Sequence, residues 1–267
     1  MKKISSIIRQ LLYKYLSFEN YLYVLSKAYF LTFNLRMLKN NEAYAYPYFL
    51  KNIIKPGTVV IDIGANLGYL AVIFSKLVGD KGKVHAVEPV NPVRKILTKN
   101  TKGLTNIQIY PYALGNENKF IQLGNNTRIK KGYVASGSHF VMDQKANNKA
   151  NTDVVFEAEM RKGSELFSQL DQLDFIKCDI EGFETVVLPE MEAIIMRFKP
   201  SLLVETGGSN RKQMLDFFNE RNYDAYILNN GYLQPTNETE SRDILFVHQE
   251  KHNSISKYFQ PKAAVNV

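Results

Sequence analysis

Acidic residues follow three apolar runs in this 267-residue chain, and glycines follow the first of them. Asp62 lies at the end of a run of β-branched residues, and Glu88 follows a second run. Asp179 and Glu181 come directly after a third run, which ends at Cys178. Runs of this kind predict strands that are buried on both faces. Because the carboxyl ends of parallel strands meet at one edge of a sheet, we expect these acids to share a crevice.

The turn after the first run predicts the kind of ligand. Gly64 and Gly68 free the backbone for a tight turn and a close approach to a bound molecule. The spacing Asp62-x-Gly64-x-Asn66-x-Gly68 departs from the G-x-G-x-x-G pattern that binds a dinucleotide pyrophosphate. A carboxylate here would repel a pyrophosphate but would suit the positive charges of S-adenosylmethionine. Glu88, at the end of the next strand, is placed to accept hydrogen bonds from ribose hydroxyls.

Four motifs together resemble the FkbM-type methyltransferases. They are Asp62-Ile-Gly-Ala-Asn-Leu-Gly-Tyr69, Ala86-Val-Glu-Pro89, Ala113-Leu-Gly115 and Lys177-Cys-Asp-Ile-Glu-Gly-Phe-Glu184. The resemblance covers roughly residues 42–247 and implies the class I fold, S-adenosylmethionine as cofactor and methylation of a hydroxyl group. The predicted acceptor is a glycan or glycolipid precursor. The cofactor-binding residues expected from motif and analogy are Asp62, Gly64, Asn66, Gly68, Glu88, Ala113 and Asp179, with the backbone around Ala113 meeting the adenine.

Asp179 and Glu181 are predicted catalytic residues, because side chains two apart on an extended segment share a face. Three roles are open to them: binding the methionine ammonium, acting as general base, or holding a divalent ion together with Glu205. Oxygen ligands would suit Mg²⁺, but we do not favour a metal. Alternatively, Glu181 or Glu184 caps the helix that follows.

His139 is the third predicted catalytic residue. An imidazole titrates near neutral pH and can remove a hydroxyl proton. The alternative is an ordinary histidine in a surface loop. Tyr69 and Tyr112 are expected either around the cofactor, where an aromatic face favours a sulfonium, or in the ordinary core.

Strand and helix signals alternate along the chain, which predicts an α/β fold with a doubly wound, mostly parallel, seven-stranded sheet and N-terminal helices. Asn229-Asn230-Gly231 is a hairpin-type turn that we expect between the last two strands. An insertion at 116–172 is expected to form a hairpin from Phe120–Leu123 and Val154–Ala158. The predicted strands are 58–63, 83–87, 107–110, 173–178, 201–205, 224–228 and 243–248, and two of the predicted helices are 185–198 and 211–221.

Composition divides the chain into three regions. Residues 1–41 hold seven basic residues and one acid within an amphipathic helical pattern, 42–248 form the methyltransferase domain, and 249–267 are a polar tail that we expect to be frayed. The N-terminal helices are expected to serve as a lid, an oligomer contact or an interfacial membrane anchor. The single cysteine excludes a disulfide framework, and we expect a cytoplasmic protein, with peripheral contact at the inner membrane face as a secondary hypothesis.

Two other functions compete with O-methylation. The net charge of +8 favours acidic partners, so an RNA methyltransferase is one alternative. Against it, the sequence has no Asn/Asp-Pro-Pro-aromatic motif, no Pro-Cys nucleophile pair and no RNA-binding module. The other alternative is a non-catalytic cofactor-binding or membrane-peripheral interaction protein, which would not need acids at three strand ends.

Overall fold

The computed structural model describes residues 2–125, 127, 133–142, 154–236 and 243–259. Its larger sheet has eight strands in the order β11-β10-β12-β9-β8-β1-β2-β3, and its smaller sheet has four in the order β4-β7-β5-β6. The strands are β1 (Val59–Ile63), β2 (Lys83–Val87), β3 (Ile107–Tyr110), β4 (Tyr112–Gly115), β5 (Lys119–Asn125), β6 (Phe140–Val141), β7 (Val154–Lys162), β8 (Phe175–Cys178), β9 (Ser201–Glu205), β10 (Tyr223–Asn229), β11 (Tyr232–Pro235) and β12 (Asp243–His248).

Ten α-helices surround these sheets in the described part of the chain. They are α1 (Lys2–Tyr15), α2 (Phe18–Asn34), α3 (Ala45–Phe49), α4 (Tyr69–Val78), α5 (Asn91–Asn100), α6 (Gly163–Leu166), α7 (Glu184–Glu190), α8 (Glu192–Phe198), α9 (Gly208–Asn219) and α10 (His252–Ile255). In the residues that the structure covers, no helix is both long enough and apolar enough to span a bilayer.

The large sheet is covered on both faces, as its apolar strands require. On one face, residues such as Ile61 pack against α7, α8 and α9. On the other, residues such as Val60 pack against α3 and α4. Successive strand residues point to opposite faces, so a continuous apolar strand fills both layers. Strands β3, β2, β1, β8 and β9 run parallel to one another, so their carboxyl ends lie at one common edge of the sheet.

The small sheet and α2 form a third core. Tyr21 and Leu22 of α2 are fully buried with Val93 and Ile96 of α5 and with residues of β5 and β7. Strand β5 pairs with β7 in antiparallel fashion over the whole length of β5. The two strands expected in the insertion therefore form and pair with each other, at the centre of the four-stranded sheet, although β6 lies between them in the chain and pairs with β5. Residues 143–153 of the insertion lie outside the described part of the chain.

The doubly wound sheet is confirmed, with eight strands where seven were expected. Four predicted strands have the predicted bounds, namely β2, β3, β9 and β12. The hairpin turn at Asn230-Gly231 forms, but it joins β10 to the additional strand β11. The prediction that it joins the last two strands was wrong, since β12 pairs with the other edge of β10. Both central turn residues have positive φ, which the turn requires.

Two further predictions differ from the structure. The helix expected at 185–198 is divided into α7 and α8 at Met191, just after Pro189, which supplies no backbone donor. The tail expected to be frayed from residue 249 instead forms helical turns up to Tyr258. Ile255 is buried in the core, and Phe259 stacks on Tyr226 at 5.0 Å between ring centroids. These apolar side chains tie the segment down; residues 260–267 lie outside the described part.

Candidate active site at the carboxyl edge of the large sheet

A cavity of about 680 Å³, counting its open mouth, lies at the carboxyl edge of the parallel strands. Its wall comes from the segments after β1, β2 and β8, from β4, and from the loop that precedes β6. The polar residues that line it are Asn66, Glu88, Tyr112, Ser136, His139, Asp179 and Glu181.

The turn after β1 is shaped by positive φ angles at Gly64, Asn66 and Gly68. A Cβ at Gly64 would overlap the carbonyl oxygen of Asp179, so only glycine allows β1 and β8 to end this close together. A Cβ at Gly68 would lie 2.8 Å from Leu97 Cδ1. The glycines therefore set the distance between the elements that wall the cavity.

Glu88 fixes this turn to the end of β2. Its Oε2 accepts from the backbone N–H of Asn66 and its Oε1 from that of Val90, both at 2.9 Å. Burial raises the pKa of Glu88 to about 7, although these two N–H groups favour the ionised form. Arg94 Nη1 donates to the backbone oxygens of Glu88 and Pro89, which holds the loop in place. A carboxylate oxygen can accept more than one hydrogen bond, so Glu88 retains capacity for a ligand hydroxyl.

Asp62, Lys177 and Asp179 form a charged cluster behind the cavity. Asp62 pairs in register with Lys177 on β8, and Lys177 Nζ donates to Asp179 Oδ2 at 2.8 Å. Burial raises the pKa of Asp62 to about 6, against the attraction of Lys177. Burial opposes the charge of Lys177, but Asp179 and Asp62 outweigh it and raise its pKa. Asp62 Oδ2 is buried and has no hydrogen-bond partner among the described residues.

The turn after β8 presents Asp179 and Glu181 to the cavity. Glu181 has a positive φ of 55°. Glu184 is buried, and its Oε1 accepts from the backbone N–H of Ile180 and of Gly182. Asn210 of α9 donates to the carbonyl oxygen of Gly182 at 2.8 Å. Glu184 therefore holds the turn, and Glu181 is left at the cavity wall.

His139 lies in the cavity wall opposite the main sheet, in the loop between residues 133 and 142. Its ring meets Phe156 edge-on, and its buried Nε2 has no partner within the described ranges. Burial lowers the pKa of His139 to about 4, against a backbone hydrogen bond to Ser136. The imidazole is therefore neutral at physiological pH. Its loop is anchored by Asn125, whose Nδ2 donates to the Ala135 oxygen at 2.9 Å.

The structure brings most of the predicted site residues together. The cavity is lined by Gly64, Asn66, Glu88, Ala113, His139, Asp179 and Glu181. Asp62 and Gly68 do not line it: Asp62 lies behind Asp179, and Gly68 begins α4. Of the two tyrosines considered, Tyr112 lines the cavity. Tyr69 packs on Tyr29, with ring centroids 4.3 Å apart.

Two features of the site were not foreseen. Lys177 was not predicted, although it stands two residues before Asp179 on a strand and so shares its face. The anchoring role of Asn125 depends on a contact with a loop ten residues away, which no local pattern reveals. Over the ranges described, no group of three or more His, Cys, Asp or Glu side chains is positioned to hold a metal ion.

Comparison with known proteins gives one family match and a set of similar solved structures. Residues 62–225 match the sequence model of the methyltransferase FkbM domain. Similar solved structures include methyltransferase FkbM from Methylobacillus flagellatus KT, with 16% identity, a TM-score of 0.45 and coverage of 76% of this chain and 50% of that one. An rRNA methylase from Streptococcus thermophilus has 10% identity, a TM-score of 0.44 and coverage of 79% and 98%. A SAM-dependent O-methyltransferase from Thermotoga maritima has 14% identity, a TM-score of 0.40 and coverage of 75% and 63%.

This chain thus spans about half the length of the Methylobacillus FkbM structure. No curated protein sequence matches it. The FkbM domain match, however, extends over more than half of the chain and contains the turn after β1, Glu88 and the turn after β8. The chain therefore belongs to the FkbM family of S-adenosylmethionine-dependent methyltransferases.

Proposed function

We propose that this methyltransferase transfers the methyl group of S-adenosylmethionine to a hydroxyl group of a saccharide, on a glycan or glycolipid precursor. One observation carries the O-methyl assignment: a neutral imidazole nitrogen, His139 Nε2, is buried in the wall of the cavity without a partner in the described residues. A hydroxyl group can satisfy that nitrogen by donating its proton to it.

The residues at the carboxyl edge suit the cofactor. In this proposal Glu88 accepts hydrogen bonds from the ribose hydroxyls, and the backbone at Ala113 contacts the adenine. The carboxylate of Asp179 provides the negative charge that the ammonium group requires. Buried Lys177 holds Asp179 in position, since it pairs with it directly.

When bound, S-adenosylmethionine supplies a methyl group that is already activated toward nucleophiles. The protein then contributes mainly orientation, by holding the acceptor oxygen in line with that methyl group. Glu181 is exposed at the cavity wall, where it can accept a hydrogen bond from a neighbouring saccharide hydroxyl. His139 Nε2 takes the hydroxyl proton. A weak base is sufficient, because the hydroxyl proton becomes strongly acidic as the acceptor oxygen bonds to the methyl carbon.

Transfer of labelled methyl from S-adenosylmethionine into fractionated host extract tests the acceptor class. We expect label in the lipid-linked or polysaccharide pool, abolished in Glu88→Ala. Label in RNA would overturn the saccharide assignment and would connect the +8 charge with phosphate contacts. Absence of label in every pool, with S-adenosylhomocysteine binding intact, would favour the non-catalytic alternative.

His139→Gln tests the proposed base separately from the cofactor site. Glutamine preserves polarity but cannot take the proton, so we expect transfer to fall about 10²-fold or more. Affinity for S-adenosylhomocysteine should not change. The matched control is His252→Gln, because His252 pairs with Asp224 away from the cavity. Unchanged transfer in His139→Gln would remove His139 from the mechanism.

A further inference from the structure

Helix α1 carries an apolar stripe that no described part of the chain covers. The stripe consists of Ile7, Ile8, Leu11 and Tyr15, which are 55%, 51%, 50% and 74% exposed. Their spacing places them along one side of a helix. Four large apolar side chains in one row differ from the isolated exposed apolar residues that every protein surface carries.

The opposite side of α1 is attached to the body of the protein. Leu12 and Leu16 pack against the core that contains Tyr21. The Arg9 guanidinium lies 5.8 Å from the ring centroid of Tyr133, and the rings of Tyr13 and Tyr21 meet edge-on at 5.3 Å. Because this side is already used, the stripe cannot turn inward without breaking these contacts.

The N-terminal region that carries the stripe is strongly basic. Residues 1–41 contain seven basic residues and one acid, Glu19. Glu19 pairs with Lys95 at 2.6 Å, so even this one negative charge is compensated. Lys14 is exposed at the border of the stripe, with its Nζ 5.4 Å from the ring centroid of Tyr15. An apolar stripe with Lys14 at its border, in a region of net positive charge, matches an anionic lipid surface, where apolar side chains enter the acyl boundary and cations meet the headgroups.

We propose that this protein docks on an anionic membrane surface through the apolar stripe of α1. A second copy of the chain is the other candidate for covering it. Two copies joined through α1 would bring two strongly basic regions together, and their repulsion opposes such a dimer. An anionic bilayer has the complementary charge.

Docking by α1 has a consequence for the cavity. Tyr133, which contacts Arg9, is the first described residue of the loop that continues to Ser136, Gly137 and His139 in the cavity wall. A docked α1 therefore holds this loop close to the bilayer. The docking surface does not depend on the proposed acceptor, because it is outside the cavity.

Sedimentation with lipid vesicles tests the proposal on the full chain. We expect binding to vesicles of phosphatidylcholine with about 30% phosphatidylglycerol, and much weaker binding to pure phosphatidylcholine. Binding should also weaken between about 0.1 M and 1 M salt, since salt screens the attraction of exposed charges. Equal binding to both vesicle types, or no binding, would overturn the proposal.

Paired variants locate the surface. Ile7→Gln/Leu11→Gln keeps good helix formers in α1 and should reduce anionic-vesicle affinity about tenfold or more, because two apolar side chains no longer enter the lipid. Phe120→Gln is the control, since Phe120 is 84% exposed on the small sheet. Lys14→Glu should also weaken binding, whereas Lys76→Glu, at the far end of α4, should not. Unchanged S-adenosylhomocysteine affinity will show that these variants are folded.

A fluorescence probe reports insertion directly, because the chain contains no tryptophan. Ile8→Trp should show a blue-shifted emission with anionic vesicles and quenching by brominated lipid, and Phe120→Trp should show neither. If light scattering instead reveals a dimer that Ile7→Gln/Leu11→Gln dissociates, a second copy covers the stripe and the membrane proposal is wrong.

Discussion

Individual residues in this site combine binding with the positioning of the backbone. Glu88 is the clearest case, because its two oxygens accept the N–H groups of Asn66 and Val90 while its carboxylate lines the cavity. Removing it leaves two backbone donors unpaired, which costs about 1–3 kcal/mol for each buried group. A loss of function at Glu88 therefore needs a measurement that separates binding from folding.

We predict that Glu88→Ala loses most of its S-adenosylhomocysteine affinity, by about 100-fold if two charge-assisted hydrogen bonds to the ribose are lost. Titration calorimetry measures the affinity, and urea unfolding of the apo-protein measures the stability separately. Asp80→Asn is the control, since Asp80 is an exposed acid beyond the far end of α4. Unchanged affinity in Glu88→Ala would contradict the ribose assignment even if stability falls.

The turns between elements set the geometry of the cavity. The turn after β1 and the turn after β8 meet at Gly64, where a Cβ would overlap the Asp179 carbonyl oxygen. The second turn is held from behind by Glu184 and from α9 by Asn210. A change in either turn therefore moves both Asp179 and the loop that ends at Asn66.

Gly64→Ala tests this contact against a matched glycine. Both Gly64 and Gly57 have positive φ, at 77° and 87°, but a Cβ at Gly57 meets nothing within 4 Å. We expect Gly57→Ala to lose about 1 kcal/mol from the backbone conformation alone, and Gly64→Ala to lose about 2 kcal/mol or more beyond that. Urea unfolding of both variants gives the difference. Equal losses would show that β1 and β8 can separate without effect.

At the scale of the molecule, sequence reasoning succeeded where burial dictates the pattern. Strands such as β2 and β9 are apolar on both faces, so their bounds follow from the run itself. Sequence reasoning failed where a contact between distant segments determines the local structure. Strand β11 is short and partly polar, and it forms because β10 presents a free edge beside the Asn230-Gly231 turn. Lys177 stands among apolar residues; its spacing from Asp179 is a local signal, but its position beside Asp62 on the neighbouring strand appears only in the fold.

The same limit applies to the N-terminal region. Its amphipathic pattern left open whether the helices pack on the protein or face another surface. The structure distinguishes the two helices. Tyr21 and Leu22 anchor α2 in the core, whereas α1 leaves one apolar side exposed. Periodicity identifies an apolar side, but only the fold decides what it contacts.

The buried ionisable groups give the whole molecule an unusual balance with pH. Burial raises the pKa of Asp62 to about 6 and that of Glu88 to about 7. Each of these acids binds more protons in the folded state, so its contribution to stability falls as pH rises from about 4 to its folded pKa. Burial lowers the pKa of His85 and of His139 to about 4. Each histidine binds fewer protons when folded, so its contribution rises between pH 4 and about 6.5.

We predict that these opposing terms nearly cancel between pH 4.5 and 6 in the apo-protein, and that single variants reveal them. Asp62→Asn removes a contribution to stability that falls as pH rises. The unfolding free energy of this variant should therefore rise with pH relative to wild type, by up to about 1.4 kcal/mol per pH unit. His85→Phe removes a contribution to stability that rises with pH, so the unfolding free energy of this variant should fall with pH relative to wild type. Urea unfolding across this pH range measures both slopes, and a constant loss of stability in either variant does not affect them. Parallel curves for wild type and Asp62→Asn would show that Asp62 is ionised throughout, held by Lys177 more strongly than burial opposes it.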